Sequence, residues 1–236
     1  MSAGRASEGP GRPFHAPEAR LFVAVPLPEA ARDTIAGAVD RVRRRLEAAD
    51  RAAFEAGGEP GGRVRWVRLD GLHVTLRFLG GAAEERLEEL RDVVDVAAAA
   101  ATPFEVALDG AGAFPVPGRP RTLWLGIVEG GEGLAGLAAG VEDALVAFGW
   151  PREERPFRPH LTVARTDGVH AGPLAARELA AAARGLAVRF TADRLVLYRS
   201  HLGGGPARYE PLHEAAIDGS RARPLAGRIA RDAAPG

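Results

Sequence analysis

The run LHVTLRFLG at residues 72–80 has a counterpart in RPFRPHLTVAR at residues 155–165. Each contains His-x-Thr followed by an apolar residue, His73-Val74-Thr75-Leu76 in the first and His160-Leu161-Thr162-Val163 in the second. Strand alternation puts Leu72, Val74, Leu76 and Phe78 on one face of the first run, with His73, Thr75 and Arg77 on the other. In the second run Leu161 and Val163 share one face, with His160 and Thr162 opposite. Each strand buries an apolar face and presents an imidazole beside a hydroxyl. Two such strands facing each other set two imidazoles and two hydroxyls around one small anion. With 6 His and 7 Thr in 236 residues, chance supplies about 0.2 such tripeptides. Two occur, both in strand-like surroundings.

Outward from these runs the chain alternates strands and helices. Residues 1–19 are rich in Gly, Pro, Ala and Ser, and read as a disordered lead in which His15 has no role. Arg20–Val25 reads as a strand. A helix follows, with Pro28 and Glu29 near its start and Ile35, Val39, Val42 and Leu46 as its stripe. The Arg41–Arg45 cluster on this helix is a solvated face rather than an RNA grip, and residues 55–63 form a Gly-rich loop. Val64–Val67 leads through the Asp70-Gly71 turn into the first His-x-Thr strand. A helix is expected over Glu84–Ala99. Strands at Phe104–Leu108 and Thr122–Val128 come next, joined by the loop GAGAFPVPGRP. A helix over Gly133–Phe148 precedes the segment GWPREERPFRP, which delivers the second His-x-Thr strand. Pro173–Ala183 reads as a helix, Val188–Tyr198 as one long strand and Ala207–Ile217 as a closing strand. Residues 219–236 read as a flexible Arg-rich tail.

This order describes two similar halves, each with one His-x-Thr strand. Hairpin connections dominate, so the expected class is α+β, mostly antiparallel sheet with helices outside. The expected organisation is one domain of two similar halves over residues 20–218 between the two tails.

Composition narrows the function. The 46% hydrophobic and 26% charged content is that of a soluble globular protein. The 31 basic and 31 acidic residues balance, which argues against a non-specific nucleic-acid coat while leaving room for a local phosphate site. The absence of cysteine rules out disulfides, thiolate metal sites and a cysteine nucleophile. Every basic side chain is arginine, which reflects the general Ala/Gly/Arg bias of the sequence. Residues 1–19 lack the apolar segment of a signal peptide and no run reaches membrane-spanning length, so a cytoplasmic protein without membrane contact is expected. A monomer is expected as well.

Imidazole titrates near neutrality, so one histidine of a pair can start neutral and the other protonated. The neutral one takes a proton from water while the charged one gives a proton to a leaving oxygen. Two hydroxyls hold non-bridging phosphate oxygens. This set suits in-line attack on a phosphodiester, above all a strained cyclic phosphate, and needs neither metal nor cofactor. The sequence has no GxxxxGK[ST] loop for a triphosphate and no G-x-S-x-G nucleophile elbow. His170, His201 and His213 stand in no metal-ligand spacing.

The paired motifs resemble the signature of the 2H phosphoesterases. Their flanks are similar to the bacterial and archaeal RNA 2′,3′-cyclic phosphodiesterases, also called 2′-5′ RNA ligases: RLFVAVPLP, VRWVRLDGLHVTLRFLG, GAGAFPVPGRPRTLWLGI, EERPFRPHLTVAR and a late RYEPL, in that order over residues 20–217. The resemblance implies a bilobed α+β fold with a pseudo-two-fold axis and a groove between lobes. It implies hydrolysis of a 2′,3′-cyclic phosphate at an RNA 3′ end to a 2′-phosphomonoester, with ATP-independent 2′-5′ joining as a side activity. His73 would be the proton donor to the 3′ oxygen and His160 the acceptor that activates water, with Thr75 and Thr162 on phosphate oxygens. An arginine at the place of Arg165 approaches the phosphate in relatives, yet strand parity puts Arg165 opposite His160, so it can help only if the strand ends or twists there. Trp124, Phe22 and Tyr209 would stack on a base, or else serve as core aromatics. Two other readings stay open: the same chemistry on a small cyclic nucleotide or nucleotide-sugar cyclic phosphate, and a non-catalytic module that binds RNA ends.

Overall fold

The computed structural model describes residues 20–59, 61–115, 118–201 and 206–219. The lead at 1–19, His15 with it, and residues 220–236 of the tail lie outside the described residues. The strands are β1 (Arg20–Pro26), β2 (Val64–Trp66), β3 (His73–Gly81), β4 (Phe104–Phe114), β5 (Thr122–Glu129), β6 (His160–Thr166), β7 (Val188–Ala192), β8 (Arg194–His201) and β9 (Arg208–Ala216). The helices are α1 (Glu29–Glu55), α2 (Leu87–Ala99), α3 (Gly131–Ala147) and α4 (Ala171–Ala182).

Helix α1 starts where Pro28 fixes an extended backbone and Glu29 lies in the first turn, favourable against the helix dipole. Its buried stripe, Ala31, Ile35, Ala38, Val39 and Val42, recurs every three or four residues. The helix continues through the Ala-rich stretch to Glu55, past the last stripe residue seen in the sequence. Arg41, Arg44 and Arg45 are exposed, as expected. Before α3, Gly130 adopts a left-handed backbone (φ 81°), and a Cβ there would lie 2.4 Å from the Glu105 carbonyl oxygen, so only glycine fits.

The strands form two antiparallel sheets, β3-β1-β8-β9 and β2-β6-β5-β4-β7. Helices α2 and α3 pack on each other and cover the first sheet, and α1 and α4 do the same for the second. One contiguous core runs through both layers, with Val23, Val74, Leu125 and Leu161 at most 1% exposed. The α+β class with mostly antiparallel sheet therefore holds.

The sequence halves, however, are not the lobes. The short strand β2 comes from the first half and pairs with β6, while β8 and β9 come from the second half and complete the first sheet. The expected single strand at Val188–Tyr198 is two strands in different sheets, and the chain crosses between lobes at Asp193. The cause is a change of phase. Val188, Phe190 and Ala192 join the core from even positions, and Leu195 and Leu197 from odd ones, with Val196 buried outside that core. One straight strand cannot bury both sets on one face. Strand β4 is also longer than expected, because the first part of GAGAFPVPGRP stays in register with β5 beyond a bend at Gly110 (φ 66°).

Candidate active site

Strands β3 and β6 bring the two motifs to opposite walls of an open groove of about 2010 Å³ between the sheets, lined by His73, Thr75, His160 and Thr162 among others. The two histidines are held alike. His73 Nδ1 lies 2.7 Å from the Gly71 carbonyl oxygen, and His160 Nδ1 lies 2.7 Å from the Arg158 carbonyl oxygen. A carbonyl only accepts, so each Nδ1 carries a proton and each Nε2 is left for the groove. In both cases the anchor is the residue two places upstream. Thr75 and Thr162 are half-buried, and neither hydroxyl engages another group among the described residues.

The two rings differ in their surroundings. His73 sits in an aromatic nest, stacked on Phe22 at 4.7 Å between centroids and edge-on to Tyr209 at 5.0 Å, with Tyr198 at 6.0 Å. Removal from water in this nest pushes the His73 pKa down to about 4, against the raising effect of the Gly71 carbonyl; the nearby His160 adds a smaller lowering contribution. With that pKa His73 is neutral at pH 7. His160 borders Phe114 edge-on at 5.3 Å and Trp124 at 6.4 Å.

Each motif strand carries a β-bulge immediately after its threonine. In β3, Thr75 pairs with Ala24 and Arg77 with Val23, so Leu76 is the extra residue. In β6, Thr162 pairs with Trp124 and Ala164 with Leu123, so Val163 is the extra residue. A bulge re-aims the side chains beyond it. This break in the strand is the condition under which Arg165 reaches the groove. Arg165 pairs with Thr122, which shares a face of β5 with Trp124, the partner of Thr162. Its guanidinium thus enters the groove and donates to Thr122 Oγ1 at 3.3 Å. Its charge reaches Tyr209 on the other lobe, where it works against the upward push that burial gives the phenol.

The same device overturns the expectation for Phe78, which was placed on the buried face. Phe78 pairs with Phe22, on the face of β1 that holds Ala24 and hence Thr75, and it is 55% exposed in the groove. Phe78 and Arg165 are both five residues after their histidines, so the pseudo-symmetry places an aromatic ring and a guanidinium at matched positions.

The aromatics singled out in the sequence do different jobs. Phe22 is 2% exposed beneath His73, Tyr198 and Tyr209, so it supports the histidine and offers no face to a base. Trp124 is not part of the groove lining. Its ring lies across Gly112, where a Cβ would come within 2.2 Å of it. Tyr209 does line the groove, and packs on Gly71, whose carbonyl holds His73. The ring of Tyr198 and the backbone anchors at Gly71 and Arg158 were not legible, because nothing in a pattern of residue types marks a carbonyl.

Arg77 is an internal tie. It donates to Glu142 Oε2 at 2.8 Å on α3, to the Pro151 carbonyl at 2.9 Å and to the Phe78 carbonyl at 2.7 Å. Glu142 also accepts from the Glu153 backbone at 2.7 Å. The segment that delivers His160 is thereby fastened to the strand that carries His73. The remaining described histidines pair with carboxylates: His170 with Asp167, His201 with Glu210 and His213 with Asp95. Among the described residues no group of three His, Cys, Asp or Glu could hold a metal ion, and no helix is long and apolar enough to cross a membrane.

With this geometry in place, comparison with known proteins assigns the family. The family model of the 2′-5′ RNA ligase superfamily matches residues 31–204. The chain belongs to this superfamily. It is 36% identical over 149 residues to an RNA 2′,3′-cyclic phosphodiesterase of Methanothermobacter thermautotrophicus, an alignment covering 63% of this chain and 72% of the relative. Among solved structures, TT0787 of Thermus thermophilus superposes with a TM-score of 0.62 at 26% identity, covering 86% of this chain and 100% of that one. Escherichia coli LigT complexed with NADP+ superposes with a TM-score of 0.58 at 28% identity, covering 86% and 99%. The bilobed α+β expectation carried by the His-x-Thr flanks agrees with these folds.

Proposed function

We propose that this superfamily member hydrolyses 2′,3′-cyclic phosphates at RNA 3′ ends to 2′-phosphomonoesters, by acid–base catalysis between His73 and His160 without a metal or cofactor. The observation that carries this reading is the matched anchoring of the two histidines. Two Nε2 atoms and two unengaged hydroxyls border one groove, on walls supplied by different sheets. The names of the relatives supply the substrate class.

In the proposed reaction water attacks phosphorus in line with the 3′ oxygen. The new bond is P–O from water, and the bond that breaks is P–O3′. His160 Nε2 takes the proton from water and His73 gives the proton to the departing 3′ oxygen. Thr75, Thr162 and Arg165 hold the non-bridging oxygens. His73 must be protonated to donate, although burial in its aromatic nest keeps it neutral at pH 7. The incoming phosphodiester carries the negative charge that favours its protonated form. Substrate binding and charging of the acid are thus one event. The same sequence with a 5′-hydroxyl attacking phosphorus in place of water, the P–O3′ bond breaking as before, gives 2′-5′ joining as a side activity.

Both motifs and all of their supports come from one chain, which favours a monomer acting as a single unit over residues 20–218. An RNA-end substrate favours a cytoplasmic setting. A second reading keeps the chemistry and changes the substrate to a small cyclic nucleotide or nucleotide-sugar cyclic phosphate. Its support is that LigT has been crystallised with NADP+, 3′-AMP and ATP. The deciding comparison is kcat/KM for a short RNA ending in a 2′,3′-cyclic phosphate against cyclic mononucleotide and ADP-ribose cyclic phosphate. The RNA should be preferred; preference for the metabolite overturns the RNA assignment. Binding of the RNA end without any turnover under excess enzyme would establish a non-catalytic module instead.

A further inference from the structure

Besides the reacting centre, the groove wall contains two arginines held side by side. Arg65 on β2 and Arg165 on β6 are direct cross-strand partners, and Thr122 on β5 is the partner of Arg165 on its other side. Directly paired residues point to the same face of a sheet, and all three line the groove. Like charges opposite each other across an antiparallel ladder destabilise it. Three other groove arginines have a carboxylate: Arg77 has Glu142, Arg155 has Glu153 and Arg199 has Glu84. Arg20 and Arg158 also line the groove and form no ion pair among the described residues, but neither has an arginine opposite it across a ladder. Among the described residues neither Arg65 nor Arg165 forms an ion pair. Strand β2 is the edge of its sheet, so Arg65 has no further strand beside it to supply a counter-charge.

A repulsive pair maintained at the rim of a groove, and left without an acid, fits an anion that arrives with the ligand. That anion is not the reacting phosphate alone. His160 and Thr162 lie on β6, with Arg165 next along the same strand. Arg65 is one strand farther out, about 4.8 Å by the spacing of neighbouring strands. The offset suits the next phosphate of a chain whose terminal phosphate lies between the histidines.

We infer that Arg65 and Arg165 form a second phosphate subsite, which holds the phosphodiester one nucleotide upstream of the cyclic phosphate. Arg165 bridges the two phosphates, and Arg65 serves the upstream one. A polynucleotide end fills the subsite and a cyclic mononucleotide leaves it empty. This assignment rests on the cyclic-phosphate reading and adds its selectivity for RNA over mononucleotides.

The test is a ratio. In the full-length protein, kcat/KM is measured for a dinucleotide ending in a 2′,3′-cyclic phosphate and for the mononucleoside 2′,3′-cyclic phosphate. Arg65→Gln should lower the dinucleotide-to-mononucleotide ratio by about threefold or more, as expected for loss of one charge-assisted contact, and Arg65→Lys should retain part of it. Any smaller fall, including equal loss on both substrates through damage to the fold, overturns the subsite. A binding arm separates this inference from the activity on which it rests. Affinities are measured for the corresponding dinucleotide and mononucleotide 2′-phosphates. If wild type turns over neither cyclic substrate and Arg65→Gln still lowers the affinity ratio, the proposed reaction falls and the subsite stands. If turnover occurs and neither ratio responds, the subsite alone falls.

Discussion

At the residue scale, His73 is the most informative side chain, because its surroundings and its proposed task pull in opposite directions. Burial against Phe22, Tyr198 and Tyr209 lowers its pKa from 6.5 to about 4. The unfolded chain therefore binds this proton more tightly than the fold does. The stability associated with neutral His73 is complete above pH ~6.5 and is lost as the pH falls towards ~4, an effect on the order of 2–4 kcal/mol. Urea unfolding at pH 7 and pH 4.5 should show a smaller acid loss in His73→Phe than in wild type. Equal losses would mean that the ring is not desolvated as described. The same residue should be identifiable as the acid by its leaving group. A nucleoside p-nitrophenyl phosphodiester needs no protonation on departure. It should partly rescue His73→Ala and leave His160→Ala impaired; the reverse pattern would exchange the two roles.

At the element scale, the bulges at Leu76 and Val163 decide which side chains reach the substrate. Alternation correctly put His73, Thr75, His160 and Thr162 on the groove faces, because nothing interrupts the two-residue period within each motif. It misplaced Arg77, which pairs with core-facing Val23, as well as Phe78 and Arg165, because an extra residue in one strand cannot be read without knowing the partner strand that lacks it. The phase change at Asp193 was legible in principle: the buried positions 188, 190 and 192 give way to 195 and 197. The swap of β2 into the second sheet was not, since three residues of edge strand carry too little pattern. The tie between β3 and α3 makes its own prediction. The Arg77 and Glu142 side chains are only 14% and 12% exposed. Arg77→Leu should destabilise the fold by about 3–5 kcal/mol, because it strands a buried carboxylate. Adding Glu142→Leu should recover part of that loss in chemical unfolding. No recovery would show that the guanidinium acts through the Pro151 and Phe78 carbonyls instead.

For the whole molecule, the chain order strand–helix–strand suggested two halves, and the structure interleaves them so that each sheet contains strands from both. The consequence is functional. Asp193 marks where the chain passes from the sheet of His160 to the sheet of His73, and β2 leads from the wall of His160 directly into the Asp70-Gly71 turn that anchors His73. His73 is therefore anchored by a turn that continues from the His160 wall, while the segment that delivers His160 is tied to the His73 strand through Arg77 and Glu142. An acid–base pair assembled in this way is complete in itself, so activity should survive EDTA. Loss that is restored only by zinc or manganese would require a different mechanism. The dependence of kcat/KM on pH should be bell-shaped, with limbs that belong to the pair. The most direct test of the central claim, that one histidine from each sheet shares a single reaction, is the double-mutant cycle on RNA 2′,3′-cyclic phosphate hydrolysis. His73→Ala and His160→Ala should each lower kcat/KM by about 10²–10⁴. The double variant should lose far less than the product of the two, because groups that act as a unit are not additive. Fully multiplicative losses, or either single variant remaining near wild-type activity, would contradict the account.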